Sequence, residues 1–108
     1  MLDDLTGVIA PFTTPFNDND GVELGAISAQ VEWLLSNGVH GLAAGGSTGE
    51  GHVLSREEHR DILAEAVRAV AGRVPVVAGI ISNSTAETAA RGQQVADLGV
   101  IALQVTPP

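Results

Sequence analysis

Seven consecutive residues, Gly45-Gly46-Ser47-Thr48-Gly49-Glu50-Gly51, place two adjacent hydroxyls and one carboxylate among four glycines. Successive backbone N–H groups in a glycine loop can form a concavity that favours negative charge. The Ser47 and Thr48 hydroxyls add donors. Together they suit a carboxylate or phosphate on a small substrate. A tight strand-to-helix turn would use the same residues, so residue types alone leave both readings open. Two familiar motifs are excluded. A P-loop needs a lysine where Glu50 stands, and the dinucleotide-binding Gly-x-Gly-x-x-Gly spacing is not matched. Residues 45–49 do match Gly-x-Ser-x-Gly, which would make Ser47 the nucleophile of a hydrolase. That elbow starts a helix at its serine, whereas here the next helix cap is Ser55. His52 and His59 also lie too close in sequence to serve as its base. A carboxylate beside an anion site would repel the ligand, so Glu50 is expected to turn away and bond neighbouring N–H groups.

The rest of the composition narrows the chemistry further. All five basic residues are arginines (Arg56, Arg60, Arg68, Arg73, Arg91), and there is no lysine and no tyrosine. The formal charge of −8 has no basic cluster to offset it, which excludes a nucleic-acid or anionic-membrane partner. Cysteine is absent, which rules out disulfides and thiolate metal sites. His40, His52 and His59 have no metal-ligand spacing, so no metal is expected. No apolar run approaches the ~20 residues of a membrane span. The acidic start, Met1-Leu2-Asp3-Asp4, is unlike a signal peptide, and cytoplasm is the expected compartment.

At 108 residues the chain makes one small domain with an aliphatic core, since aromatics are only 3%. Apolar runs at 6–11, 39–44, 74–81 and 100–105 read as strands. The third lacks polar alternation, as expected of a strand buried on both faces. Leu24, Ile27, Val31, Leu34 and Leu35 share a helical face, as do Ile62, Leu63, Ala66, Val67 and Val70. Ser55 with Glu58, and Ser84 with Glu87, read as capping boxes. The third helix is alanine-rich, suiting close packing on a sheet. Gly38, Gly72 and Gly99 end the three helices. Glu57, Glu58 and Asp61 read as a solvated helix face with Arg56, Arg60 and Glu65. Trp33 reads as packing at a helix edge or an interface.

The order is β-α-β-α-β-α-β, which implies parallel strands with right-handed crossovers. An open doubly wound sheet and part of a (β/α)8 barrel both fit. In either, functional loops follow the strands, and the 45–51 loop does so.

Five motifs in order resemble the dihydrodipicolinate synthase / N-acetylneuraminate lyase family of class I, pyruvate-handling barrels. They are Thr14-Pro15-Phe16, Gly46-Ser47-Thr48-Gly49-Glu50 after Gly38-Val39-His40-Gly41, Leu54-Ser55-Arg56-Glu57-Glu58, Asn83-Ser84-Thr85-Ala86-Glu87, and Val105-Thr106-Pro107-Pro108. The resemblance implies an α/β fold. Residues 1–108 would form one partial domain, the N-terminal half (about four βα units) of a (β/α)8 TIM barrel. It implies a lyase or aldolase acting on a 2-keto acid, pyruvate, through a Schiff base and without a cofactor. Gly46, Ser47 and Thr48 would bind the substrate carboxylate, and Ser47 would also join a proton relay with tyrosines.

The sequence departs from the family pattern in places. Ile81 replaces a usual glycine. Ser47 in place of threonine is commoner in the neuraminate-lyase-like and sugar-acid branches, which tilts against lysine biosynthesis. The family's Schiff-base lysine and its tyrosines are not in these 108 residues. The chain is therefore expected to be silent alone, and to form homo-oligomers or associate with a missing barrel half. The alternatives are a non-catalytic half-barrel serving as an interaction or structural module, and the Ser47 hydrolase.

Overall fold

The computed structural model describes residues 5–107. Residues 1–4, with the acidic start, and Pro108 of the Thr-Pro-Pro segment lie outside the described residues. Four strands appear where apolar runs predict them, each trimmed at its start, with β4 running one residue further: β1 (Ile9–Pro11), β2 (Gly41–Ala44), β3 (Val76–Ile81) and β4 (Ala102–Thr106). Between them lie α1 (Ile27–Ser36), α2 (Arg56–Val70) and α3 (Thr85–Val95). The start of β1 is trimmed at Gly7, whose φ is +74°.

All strand pairings are parallel, and the order across the sheet is β1-β2-β3-β4. This order chooses between the two architectures. Right-handed crossovers to the next neighbour, always in one direction, put every helix on the same face. A doubly wound sheet reverses its strand order and carries helices on both faces. The described chain is therefore four consecutive βα-type strands of a barrel wall.

Register assigns the faces. Leu42 pairs with Val76 and Ala44 with Ala78, and these join Ile80, Ile62, Leu63, Ala66, Val70, Ile27 and Val31 in one core under the helices. Burying each of the larger aliphatic side chains contributes ~1.5–3 kcal/mol. The expected faces of α1 and α2 are the ones that pack. Pro11, Ala43, Val77, Ala102 and Gln104 occupy the opposite face and line a hollow of about 320 Å³. On β4, Leu103 and Val105 are 44% and 51% exposed, because no helix of the described chain covers that edge.

Four expectations about the helices need correction. Ser55 forms the full capping box with Glu58, but Ser84 forms only half of one. Its hydroxyl accepts from the Glu87 N–H at 3.0 Å, while the Glu87 carboxylate is drawn to Arg56 and Arg91. The alanines of α3 are not its packing face; Arg91, Gly92 and Val95 are buried instead. Arg56 and Arg60 are not merely solvated, since they bridge α2 to α3 through Glu87 and Asp97. Trp33 is 64% exposed on α1, so of the two places expected for it a packed helix edge within this chain is not the one it takes.

Candidate functional site

The 45–51 loop leaves the C-terminal end of β2, and its glycines are spent largely on packing the loop against its own surroundings. Gly45 has φ of +78°, and a Cβ there would lie 2.8 Å from His59 Nε2. A Cβ on Gly51 would sit 1.9 Å from the Gly45 carbonyl oxygen. The loop closes through Glu50 N–H to the Ser47 carbonyl (3.0 Å) and Gly51 N–H to the Gly46 carbonyl (2.9 Å). Thr14, a buried residue just after β1, donates its hydroxyl to the Gly49 carbonyl at 2.6 Å. The Thr-Pro-Phe segment therefore fastens the loop from one side.

Two buried polar side chains fasten it from the helix side, and sequence reasoning missed both. His59 is 1% exposed, and its Nε2 lies 2.8 Å from the Gly79 carbonyl. A carbonyl accepts, so Nε2 carries the proton and Nδ1 is left bare. Nδ1 is buried without a partner among the described residues. Burial pushes the His59 pKa below the ordinary imidazole value; the Gly79 carbonyl opposes this, and the Arg91 charge adds to it. Arg91 reaches from α3 to the Gly51 carbonyl at 3.0 Å and the Leu54 carbonyl at 2.5 Å. Its Nε bonds the Glu87 carboxylate at 2.9 Å. The Arg56 guanidinium, and after it that of Arg91, holds the Glu87 carboxyl down to about 2. A histidine at helix spacing with Ile62 and Leu63 was a legible sign of burial. An arginine in an alanine-rich helix gave no such sign.

Ser47 and Thr48 are exposed and face a cavity of about 170 Å³. Gly46, Gly49, Pro11, Ala43, Gln104 and Thr106 complete its lining. The structure thus brings together all three predicted binding residues, Gly46, Ser47 and Thr48. It adds Gln104 and Thr106, which were not predicted as site residues. Gln104 had a signal, an amide standing inside an apolar strand. It reaches the cavity because it pairs in register with Gly79, which has no side chain.

The lining carries no charged group. Among the described residues neither the Ser47 nor the Thr48 hydroxyl bonds another protein group, and the backbone N–H groups of Ser47, Thr48 and Gly49 are likewise unpartnered. Neutral, unclaimed donors around a small space suit an anion held by hydrogen bonds. No imidazole or carboxylate lines the cavity to activate Ser47, because His59 lies on the helix side, bonded to Gly79. Glu50 does turn away, as expected, toward Phe16, Val53 and Glu58. Its expected bonds to backbone N–H groups are not formed among the described residues; instead its backbone takes φ of +56°. Ile81, the residue that departs from the family pattern, stands beside the loop's end: a Cβ on Gly51 would meet its Cγ2 at 3.2 Å. Among the described residues no group of three or more His, Cys, Asp or Glu could hold a metal ion. No helix of the described chain is long and apolar enough to cross a membrane.

A model for the dihydrodipicolinate synthetase family matches residues 4–108. The chain is 40% identical over 104 residues to the 4-hydroxy-tetrahydrodipicolinate synthase of Bartonella bacilliformis, covering 96% of this chain and 35% of that protein. It is 44% identical over 105 residues to the enzyme of the same name from Xanthomonas axonopodis pv. citri, with the same coverage. Among solved structures, a dihydrodipicolinate synthase from Acinetobacter baumannii complexed with pyruvate superposes with a TM-score of 0.89 at 34% identity, over 94% of this chain and 35% of the other. The chain spans about a third of the length of the relatives it matches.

Proposed function

The chain belongs to the dihydrodipicolinate synthetase family, and from that premise we propose that it supplies the acid-binding part of a Schiff-base-forming, pyruvate-dependent lyase or aldolase. One observation carries this reading. The unpartnered Ser47 and Thr48 hydroxyls line a small, uncharged cavity at the C-terminal end of β2, the end where barrel enzymes place their chemistry. The relative solved with pyruvate supports a keto acid as the ligand. Thr48 anchors the carboxylate, the Gly46 backbone lets the acid approach closely, and Ser47 both anchors and passes a proton.

Bond making or breaking next to a ketone requires an amine that condenses with it and then withdraws electrons. The sequence holds no lysine, and a guanidinium stays protonated and cannot attack. The amine, and the tyrosines that complete the relay, therefore come from outside these 108 residues, and the chain alone does no carbon–carbon chemistry. Incubation with pyruvate and borohydride tests this. Apart from any modification of the N-terminal α-amine, the chain's mass should stay unchanged while pyruvate perturbs the Ser47 and Thr48 amide resonances. A reduced adduct elsewhere on this chain would overturn the reading.

A second reading, a non-catalytic association module, has its own observation. Leu103 and Val105 are exposed on the helix face of β4, and a hollow over Val77 and Ala102 is open on the opposite face, two apolar areas that a second copy or the remainder of a barrel would cover.

A further inference from the structure

The acid-binding loop is not a relaxed turn. Glu50 has φ of +56°, in the left-handed region that a non-glycine residue occupies only when its surroundings fix it there. The next residue, Gly51, is wedged between two contacts. Its N–H bonds the Gly46 carbonyl at 2.9 Å, and its own carbonyl takes Arg91 at 3.0 Å. The same guanidinium bonds the Leu54 carbonyl at 2.5 Å and Glu87 at 2.9 Å. All three of its nitrogens are used, in three directions, within a buried side chain. Arg91 does not line the cavity. Any shift of Gly51, however, moves Gly46 through their hydrogen bond, and with it Ser47 and Thr48.

We infer that Arg91 is a positioning residue for the acid-binding loop, acting through the Gly51 carbonyl and itself oriented by Glu87. A planar guanidinium can span two carbonyls and a carboxylate at once; a lysine ammonium at the same site has no such fixed fork. The link to ligand binding rests on the acid-site reading above, whereas the link to loop order does not.

The test uses the 108-residue chain, with amide hydrogen exchange and pyruvate titration both followed by NMR. In R91M the Glu50 and Gly51 amides should exchange about tenfold faster or more, while the Ala78 and Leu63 amides in the core change less, as expected for local rather than global opening. Pyruvate binding should weaken alongside, and R91K should recover neither. Wild-type loop protection in R91M or R91K would overturn the inference. If R91M loses its core protection too, Glu87→Ala decides, because it keeps the guanidinium and removes the acceptor of its Nε. Loop-specific acceleration in that variant supports the clamp, and unchanged loop exchange sinks it. If the loop loosens as expected but pyruvate moves no Ser47 or Thr48 resonance even in the unaltered chain, the clamp stands and the acid-site reading falls.

Discussion

Gly46 lies against Gly79 so closely that a Cβ on Gly79 would fall 2.5 Å from both the Cα and the N of Gly46. The floor of the 45–51 loop thus rests directly on the backbone of β3. The same Gly79 offers its carbonyl to His59 and clears the space into which Gln104 points. One residue of β3 therefore fixes the height of the loop and the shape of the cavity.

Gly79→Ala should be destabilising by about 1–3 kcal/mol, the usual range for forcing a group into filled space. The atoms met are backbone and cannot swing aside. The urea midpoint should fall, and the Gly46 and Ser47 amide resonances should shift the most. Unchanged stability and unmoved loop resonances would show that the close approach is not real.

Stability should depend on Glu87 in acid. Its folded pKa lies near 2, against an ordinary carboxylate value of 4.5. A depressed carboxylate pKa gives stability that is complete above the unfolded value and is lost as pH falls toward the folded one. The difference in urea midpoint between the natural chain and Glu87→Gln should therefore be full at pH 7 and shrink between about pH 4.5 and 2. Arg56 is well exposed, so added salt should reduce that difference at neutral pH. A difference independent of both pH and salt would argue against the Arg56–Glu87–Arg91 network.

The apolar face of β4 should drive association. Leu103 and Val105 are half exposed on an edge strand, a common route to pairing between chains. Sedimentation at micromolar concentration should show species larger than the monomer, and replacing both residues with lysine should shift the distribution toward monomer. A chain that sediments as a well-behaved monomer throughout would contradict the association reading.

How much of this was legible in the residues follows from which interactions are local. Strand and helix positions were, because apolar runs, helical spacing and caps such as Ser55 with Glu58 act within a few residues. The choice of barrel over open sheet was not in the pattern of elements; it needed the order of strands in space. That Ser47 and Thr48 stand together at the C-terminal end of β2 was legible because hydroxyls follow a glycine run after a strand. What fastens their loop was not. His59 meets Gly79 across 20 residues, and Arg91 meets Gly51 across 40. Glu87 shows the same limit, since its spacing from Ser84 promised a capping box and two arginines took its carboxylate instead.

The central claim is that this loop captures the carboxylate of a small keto acid, and an NMR titration comparing pyruvate with its methyl ester tests it most directly. The account predicts that pyruvate shifts the Ser47, Thr48 and Gly49 amides saturably, that the uncharged ester does not, and that Thr48→Val abolishes the response. Equal shifts from acid and ester, or shifts centred away from the 45–51 loop, would contradict it.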